Sequence, residues 1–480
     1  MLPRISWRNF SLVPAVFLFF TAGLVLPRVG RAQQTPTHPW TRVTDTTGHN
    51  ADEAAWARTS DGTLHVLWLR KDGNNQDLMH TAISKGGQIA GSPSTVLHNW
   101  ATISIPALVG TGGKLYAFWG GLRSTDVKDP YSQGALYMAT SDDGGATWNL
   151  APGAKSKSHS TYASPTAATL TKDGNFVTAW AISFALAAHV GLDPNQADLV
   201  LEKRCCAYQP KFATDSQTGE VVLGWYSNIS KANGLMTQTI KPSLGTAIYV
   251  PGSASATRAD SLSADQKVGI TGRIGAPGIY VGYCDGYPSC KTVNVWPYRA
   301  AKPMVVERAP GARFVNITAG PEGRLWLMWM RSGRIYATRS NRAATRFGHP
   351  VTVVPPKGES FIWKVGGEGS PGPLDLLASM TVESQGLATW HKRVFPPLSL
   401  SASPSRFAAA EGAKVVFTVS DVGDPVAGAK ISVEGKTLTS DAQGHATMTF
   451  PKGTKAGVIH ATASMEDYTN ASARVTAAAK

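Results

Sequence analysis

Carboxylates, aromatic rings and an arginine recur in the polar segments that precede predicted β-strands. These segments are HNADEAAW (49–56), NWATIS (99–104), STYASP (160–165), CCAYQP (205–210) and ARFVN (312–316), and they carry the candidate binding residues Asp52, Glu53, Trp100, Tyr162, Tyr208 and Arg313. Aromatic faces stack on sugar rings and polar groups bind sugar hydroxyls, so this set favours a carbohydrate site. The alternative is that the aromatic side chains only seal the opening of a channel.

A repeated pattern supplies the elements that would bring these segments together. A glycine turn, an alternating apolar strand and a bulky aromatic recur in GTLHVLW (62–68), GKLYAFW (113–119), GNFVTAW (174–180), GEVVLGW (219–225), GIYVGY (278–283) and GRLWLMW (323–329), with a weaker copy in PLDLLAS (373–379). Copies lie roughly 50 residues apart, the spacing of four-stranded propeller blades. We therefore predict an all-β fold, with a six- or seven-bladed β-propeller over residues 40–396 and the final aromatics packed between blades.

The sequence changes character near FPPLS (395–399). No tryptophan follows Trp390, and KVVFTVSD, AKISVEG, HATMTF and GVIHATAS alternate apolar and polar residues between glycine-containing turns. This pattern predicts a small β-sandwich over residues 397–480, which resembles bacterial Ig-like modules. We expect it to act as a spacer or attachment domain because it has no clustered carboxylates or histidines.

The N-terminal residues indicate export. Arg4 and Arg8 precede the apolar run SLVPAVFLFFTAGLVL (11–26), and the small residues Gly30 and Ala32 follow it. Residues 1–32 are therefore predicted to be a secretory signal peptide, with a retained anchor helix as the alternative. We expect a secreted or cell-surface protein with no stable membrane insertion after signal removal.

The net charge indicates the kind of partner. The formal net charge is +14, and removal of the four arginines in residues 1–32 leaves 14 − 4 = +10. A basic surface suits an anionic glycan or a cell wall, whereas the lack of a dense Lys/Arg run argues against nucleic acid.

Four cysteines are expected to form disulfides in an exported protein: Cys205, Cys206, Cys284 and Cys290. Cys284 and Cys290 flank a short loop and are able to pair locally, but all three pairings remain open. Adjacent cysteines are poor tetrahedral zinc ligands, and no metal or other cofactor is expected.

SDDGGATW (141–148) is acidic and glycine-rich, yet it fits a turn better than a metal site. Asp143 is placed to accept hydrogen bonds from its own turn, and Gly145 permits a backbone angle that other residues resist. Ser141, Asp143, Gly145, Thr147 and Trp148 match S-x-D-x-G-x-T-W directly after the strand ALYMAT. The segment resembles the Asp-box of the sialidase-like (Asp-box/BNR repeat) β-propeller family, where it is structural and lies at the outer rim. SNRAATRF (340–347) resembles a degraded copy.

The resemblance extends upstream through SIPAL (104–108), LYAFWGGLR (115–123) and STDVKD (124–129). It implies that Arg123 lines the substrate pocket and that Asp129 is the general acid/base, with Asp126 as its substitute. The family's first arginine, which grips the substrate carboxylate, falls on Ser104. A hydroxyl cannot replace a bidentate guanidinium, so this is a marked departure.

Sialidases use a tyrosine nucleophile, which needs a carboxylate to take its proton because its free pKa is about 10. No motif places the nucleophile or its partner, so Tyr208 with Glu53 or Asp52 is one candidate pair, and Tyr226 and Tyr283 are alternatives to Tyr208.

Three functions fit the sequence. The first is a secreted sialidase-like glycoside hydrolase of the exo-α-sialidase type, acting on terminal anionic sugars of a glycan. The second is a non-catalytic propeller that binds glycans or proteins, which the loss of the arginine at position 104 favours. The third is a propeller polysaccharide lyase acting on uronic acids.

Overall fold

The computed structural model describes residues 39–44, 54–126, 134–159, 165–182, 185–204, 206–229, 232–255, 267–286, 290–383 and 385–479. The predicted signal peptide, residues 1–32, lies outside these ranges. Within them the chain forms β-strands and two short 3-10 helices, Ser124–Asp126 and Pro321–Gly323, without an α-helix. The predicted all-β class is therefore confirmed. No helix in these ranges is long and apolar enough to cross a membrane.

Twenty-nine strands lie in the described residues of the part of the chain that contains the sequence repeat. In chain order they are β1 (Thr41–Arg42), β2 (Ala55–Arg58), β3 (Leu64–Asp72), β4 (Asn75–Ile83), β5 (Ser94–Ile103), β6 (Ala107–Thr111), β7 (Lys114–Arg123), β8 (Gly134–Ser141), β9 (Asn149–Leu150), β10 (Ser156–His159), β11 (Ala167–Leu170), β12 (Phe176–Ile182), β13 (Ala185–Val190), β14 (Leu199–Glu202), β15 (Ala207–Thr214), β16 (Val221–Ile229), β17 (Ala232–Lys241), β18 (Ile248–Tyr249), β19 (Gly269–Gly272), β20 (Ile279–Cys284), β21 (Thr292–Pro297), β22 (Met304–Arg308), β23 (Arg313–Ala319), β24 (Leu325–Arg331), β25 (Arg334–Arg339), β26 (Val351–Val353), β27 (Glu359–Glu368), β28 (Leu374–Val382) and β29 (Gly386–Val394).

Most of these strands form four-stranded antiparallel sheets. Four sheets consist of consecutive strands, β11 to β14, β15 to β18, β19 to β22 and β23 to β26. Strands β2 to β10 form one larger sheet because β5 also pairs with β7. The last sheet has the order β1-β29-β28-β27, so it combines the first described strand with three late ones.

Seven strands, each the one that directly precedes a copy of the sequence repeat and here called a first strand, pack against one another in a closed cycle. β2 contacts β6, and the contacts continue through β11, β15, β19 and β23 to β27, which contacts β2 again. Many four-stranded sheets in this arrangement are consistent with a β-propeller.

The repeated motifs form the second strands of the sheets. The seven copies fall on β3, β7, β12, β16, β20, β24 and β28, and the final aromatics of the first six copies are at most 3% exposed. Trp225, for example, packs among Ala167, Val177 and Ala179 of the preceding sheet. The prediction that these aromatics are packing residues is confirmed.

Contacts between residues at β2 and the sheet β1-β29-β28-β27 close the cycle. The Arg58 guanidinium forms ion pairs with Glu368 and with Asp375, and both carboxylates lie more than 300 residues away along the chain. His391 Nε2 lies 2.9 Å from the other oxygen of Asp375. Asp375 is buried, and although burial opposes ionisation, His391 and Arg58 hold its pKa below the ordinary value. Trp56 Nε1 adds a hydrogen bond of 3.1 Å to Gly367 O.

The C-terminal residues form two further sheets around a separate core. The strands are β30 (Ser399–Ser403), β31 (Arg406–Ala408), β32 (Ala413–Asp421), β33 (Asp424–Pro425), β34 (Lys430–Val433), β35 (Lys436–Thr439), β36 (His445–Phe450), β37 (Gly457–Ser464) and β38 (Ala471–Ala478). One sheet holds β30, β32, β33 and β36, and the other has the order β31-β38-β37-β34-β35. Val415, Phe417, Ile431 and Val475 lie in the shared core. The boundary at residue 397 remains a prediction.

A buried ion-pair cluster joins these sheets to the sheet that contains β24 and β25. Asp421 pairs with Arg339 and, at 3.3 Å, with Arg324, whose other terminal nitrogen lies 2.8 Å from Asp424. Arg339 also lies 5.1 Å from the ring centre of Tyr468. Asp421, Arg324 and Arg339 are all buried, so their charges depend on one another for compensation.

The SDDGGATW segment forms a hydrogen-bonded turn between β8 and β9. Asp143 accepts hydrogen bonds from Ser141 Oγ (2.8 Å) and from the backbone N–H of Thr147 (3.0 Å), and the Trp148 indole donates to Gly145 O (3.1 Å). The Thr147 hydrogen bonds lower the pKa of Asp143 to about 2. Gly145 has φ of 86°, and a Cβ there would also collide with the His80 ring. The backbone bonds predicted for Asp143 are therefore present.

A chain of buried polar groups leads from β2 to this turn. His65 Nε2 contacts Thr59 Oγ1 (3.0 Å), and His65 Nδ1 contacts His80 Nε2 (2.9 Å). His80 Nδ1 contacts Ser94 Oγ (3.1 Å), which donates to Gly145 O. Burial lowers the pKa of His65 to about 4 and that of His80 to about 3. Both histidines are therefore neutral near pH 7.

Asp421→Asn should strongly destabilise the protein, because it leaves two buried guanidinium groups short of one counter-charge. We expect a loss of about 3–5 kcal/mol in the free energy of unfolding, measured by urea denaturation of the full chain. Glu411→Gln, at an exposed position of the same sheets, is the matched control and should change little. Equal stability of the two variants would contradict the role given to the cluster.

Acid should destabilise the protein through His65 and His80. Their folded pKa values lie below the ordinary 6.5, so the unfolded chain binds more protons between about pH 6.5 and 4, and stability falls as pH falls through that window. We expect a loss of about 1 kcal/mol or more per pH unit below pH 6, and His80→Gln should reduce this slope. Urea denaturation at several pH values measures it, with exposed His460→Gln as control; a His80→Gln slope equal to the unsubstituted one would refute the assignment.

Candidate functional site

The residues at which the chain enters the first strands all lie at one end of the cycle. Neighbouring antiparallel strands alternate in direction, so the ends of the second strands lie there too. Arg123 is the last residue of β7, Tyr208 is the second residue of β15, and Arg313 is the first residue of β23. The topology therefore brings these three predicted site residues to the same end. The SDDGGATW turn, which follows a third strand, lies at the opposite end.

A cavity of about 110 Å³ lies between the first strands at this end. Small side chains leave this space open, and two lysines border it. The lining residues are Ala54, Ala55, Trp56, Ala107, Leu108, Ala167, Ala168, Lys211, Phe212 and Lys267. Lys267 is buried, and its Nζ donates a hydrogen bond of 2.6 Å to Pro106 O. A smaller cavity shares Ala54 and Trp56 and is lined by a third lysine, Lys364, which is also buried.

The Trp56 ring separates the two cavities and lies against a glycine. A Cβ on Gly366 would collide with this ring and would lie 3.4 Å from Asn316 Nδ2. The absence of a side chain at Gly366 therefore allows the indole to fill the space between β2 and β27.

Bulges interrupt three of the first strands at this end. The register of β15 shifts between Tyr208 and Lys211, that of β23 between Arg313 and Asn316, and that of β27 between Ile362 and Lys364. A bulge adds one residue and changes the side-chain alternation that follows it. Lys211, Asn316 and Lys364 each come directly after such a shift, so the bulges set where these polar side chains lie.

Arg123 lies against an aromatic cluster. Its guanidinium carbon is 5.7 Å from the ring centre of Trp100 and 5.4 Å from that of Tyr137, and those two rings are 4.8 Å apart, edge to face. Trp100 is 6% exposed. The structure thus brings Arg123 and Trp100 together, with the Trp100 ring buried against the arginine.

Ser104, the residue at the position of the expected first arginine, is buried beside β7. It is 2% exposed, its Oγ accepts a hydrogen bond of 2.8 Å from the Gly120 N–H, and it lies 3.1 Å from Thr166 Oγ1. The Ser104 hydroxyl therefore links the segment before β6 to the backbone of β7.

The three candidate tyrosines differ in their surroundings. Tyr208 and Tyr226 are cross-strand partners on β15 and β16, and both are half-buried. Tyr283 is buried, its hydroxyl donates to Pro251 O, and burial raises its pKa far above the ordinary value. A nucleophile needs a lowered pKa or a neighbouring base that removes its proton, so Tyr283 does not suit that role.

Other predicted residues lie outside the described ranges: Asp52, Glu53, Asp129, Tyr162 and Cys205. The backbone of Asp126 ends the 3-10 helix that follows β7. Cys284 and Cys290 form a disulfide across the β20–β21 connection, which selects one of the open pairings, and Cys206 is also disulfide-bonded. Within the described ranges, no group of three or more His, Cys, Asp or Glu residues is arranged to hold a metal ion.

The cavity lysines were not predicted from the sequence. A signal for two of them exists, because Lys-Val-Gly recurs at 267–269 and at 364–366, in both cases at a first strand. The pattern gives no sign that the lysines face a cavity, since this depends on small residues contributed by other sheets.

Comparisons with known proteins give weak likenesses. No protein-family pattern and no curated protein matches the chain. A polysaccharide lyase described as an ulvan lyase bound to -[GlcA(1-4)Rha3S]- is 12% identical, with a TM-score of 0.45, over 75% of this chain and 96% of the other. YCF48 bound to D1 peptide is 12% identical, with a TM-score of 0.40, over 77% of this chain and 99% of the other. A Trypanosoma rangeli sialidase is 11% identical, with a TM-score of 0.35, over 91% of this chain and 84% of the other. Likenesses of this size carry no functional argument.

Gly366→Ala should destabilise the protein because the added methyl group meets the Trp56 ring. Overpacking of this kind costs about 1–3 kcal/mol in the free energy of unfolding. Gly113→Ala is the matched control, since a Cβ there has no atom within 4 Å and the residue does not need a positive φ. Urea denaturation of both variants measures the difference, and equal stabilities would show that Trp56 does not occupy this position.

Proposed function

We propose that the chain is a seven-bladed β-propeller followed by an Ig-like domain and that it belongs among sialidase-like propellers. The closed cycle of seven first strands supports the blade number. The hydrogen bonds of Asp143 and the hydrogen bond of the half-buried Trp148 indole to Gly145 O support an Asp-box at residues 141–148. The predicted signal peptide makes the protein secreted or cell-surface associated.

The proposed function is recognition of acidic glycans at the end where the chain enters the first strands. The observation that carries it is the cavity bordered by Lys211 and Lys267, at the same end as Arg123 and Arg313. Carboxylates of sialic or uronic acids are the groups that such cations bind in charge-assisted hydrogen bonds. Half-buried Tyr208 and Tyr226, which pair across β15 and β16 at the same end, supply aromatic and hydroxyl groups.

As an enzyme, the protein acts as an exo-α-sialidase-type glycoside hydrolase. Tyr208 attacks the anomeric carbon of the terminal sugar while its phenolic proton passes to Glu53 or Asp52. Asp129, or Asp126 in its place, donates a proton to the leaving-group oxygen and then removes one from the water that releases the sugar. No cofactor is needed for this reaction.

A non-catalytic glycan-binding propeller is the second candidate. Ser104 favours it, because the residue at the position of the family's first clamp arginine is buried and holds the Gly120 N–H. The protein would then lack one of the arginines that bind the carboxylate of a typical sialoside.

The full chain should bind sialyllactose more tightly than lactose, since only the former carries a carboxylate. Lys211→Gln should weaken sialyllactose binding about 10-fold or more, the loss of one charge-assisted hydrogen bond, when measured by isothermal titration calorimetry. Lys414→Gln, at an exposed C-terminal position, is the control. Equal binding of the two sugars would contradict acidic-glycan recognition.

Turnover separates the two candidates. A fluorogenic sialoside should be hydrolysed by the unsubstituted chain and not by Asp129→Asn. Binding without hydrolysis would support the non-catalytic candidate, and an unsaturated uronate product from a polyuronate would instead indicate a lyase.

A further inference from the structure

Two exposed aromatic side chains lie near the beginning of β27, at the end where the chain enters the first strands. Phe361 is 42% exposed and Trp363 is 40% exposed, and their ring centres are 4.5 Å apart. Trp363 Nε1 donates a hydrogen bond of 2.8 Å to Thr381 Oγ1 on β28, which holds the indole against the sheet. We call Phe361 and Trp363 the aromatic pair.

The strand pairing shows which face of the sheet the aromatic pair occupies. Ile362 and its cross-strand partner Met380 pack in the core that this sheet shares with β24 and β25. Phe361 pairs with Thr381, the next residue of β28, so both lie on the opposite face. The hydrogen bond from the indole to Thr381 places the second ring of the aromatic pair there too.

This opposite face is turned toward β2 and β3 and lines the small cavity. Leu377 on β28 packs in one core with Leu64 and Val66 of β3, and Ser379, two residues further, lines the small cavity. Leu377, Ser379 and Thr381 lie on one face of β28 because successive side chains alternate.

The aromatic pair therefore continues the cavity lining outward. The Cα atoms of Thr381, which holds the indole, and Ser379 are about 7 Å apart along the strand. Lys364 directly follows Trp363 in the chain and lines the small cavity together with Ser379 and Trp56. Trp56 also lines the larger cavity that Lys211 and Lys267 border. The order from the strand ends inward is thus aromatic pair, small cavity and lysine-bordered cavity.

The size and the surroundings of the aromatic pair suit a sugar better than a protein. In the described residues of β27, β28 and β29, no other large apolar side chain is exposed. Two rings cover far less than the roughly 800 Å² that each partner buries in a stable protein interface. Hydroxyl groups lie beside the rings, since Thr381 Oγ1 contacts the indole and Ser360 Oγ donates a hydrogen bond of 3.2 Å to Thr381 O. Aromatic faces stack on sugar rings, and neighbouring polar groups bind sugar hydroxyls.

We propose that the aromatic pair is a second sugar subsite, which holds an uncharged sugar ring joined to the acidic terminal sugar. The inference rests on the proposed glycan recognition, because the aromatic pair continues the lining of the cavities where the acidic sugar binds. The two side chains carry no charge, and the neighbouring cation Lys364 is buried in the small cavity, so stacking and hydroxyl contacts act at this subsite. The protein then recognises at least two linked sugars.

Isothermal titration calorimetry of the full chain tests this proposal with free N-acetylneuraminic acid, sialyllactose and lactose. The Asp129→Asn background prevents hydrolysis during the titration. We expect sialyllactose to bind about 10-fold more tightly than free N-acetylneuraminic acid, since only sialyllactose supplies further rings. Trp363→Ala should remove this difference and leave the affinity for the free sugar unchanged, and Trp363→Phe should restore most of it.

Two further variants complete the test. Phe361→Ala removes the other ring and should also weaken sialyllactose binding without changing the affinity for the free sugar. Leu150→Ala is the matched control, because Leu150 is 43% exposed and lies on β9, directly after the 141–148 turn at the opposite end. It should change neither affinity.

The outcomes separate this subsite from the cavity's proposed function. Sialyllactose that binds no more tightly than the free sugar, or that binds equally well to Trp363→Ala and Phe361→Ala, overturns the subsite and leaves the cavity's function standing. An equal loss of affinity for both sugars in these variants overturns it as well. Lactose and sialyllactose bound equally, both through Trp363, would support the subsite and refute the cavity's function. Absence of binding to all three sugars overturns both.

Discussion

The pairing of β1 with β29, in the same sheet as β27, holds the rest of the molecule in place. Closing a chain of more than 300 residues costs entropy that grows only slowly with length, so a few well-placed contacts suffice. Here they are the β1–β29 hydrogen bonds, the Trp56–Gly367 hydrogen bond and the buried Arg58 ion pairs with Glu368 and Asp375. Without this closure the first strands would form an open row, and no common cavity would exist between them.

Small side chains create the cavity at the end where the chain enters the first strands. Alanines at three of the first strands, β2, β6 and β11, meet there, and Gly366 lets the Trp56 ring lie across the gap toward β27. Bulges in β15, β23 and β27 then determine which residues face this region, and two of the residues that follow them are lysines. Cations thus reach an enclosed position beside apolar walls, where their attraction for an anion is less screened than at an open surface.

The sequence predicted those features that are local along the chain. Glycine turns, alternating apolar residues and final tryptophans identified the second strands of the sheets, because strand periodicity and turn chemistry are read from neighbouring residues. The hydrogen bonds of Asp143 were predictable for the same reason. The burial of Trp100 beneath Arg123, the hydroxyl bonds of Ser104 and the position of Lys267 were not, because each depends on residues from another sheet or a distant segment.

A crystal structure of the protein with sialyllactose tests most directly whether acidic sugars bind at the end where the chain enters the first strands. We expect the sugar carboxylate to lie within hydrogen-bond distance of Lys211, Lys267 or Arg123. A ligand bound beside the 141–148 turn at the opposite end, or on the C-terminal sheets, would contradict it.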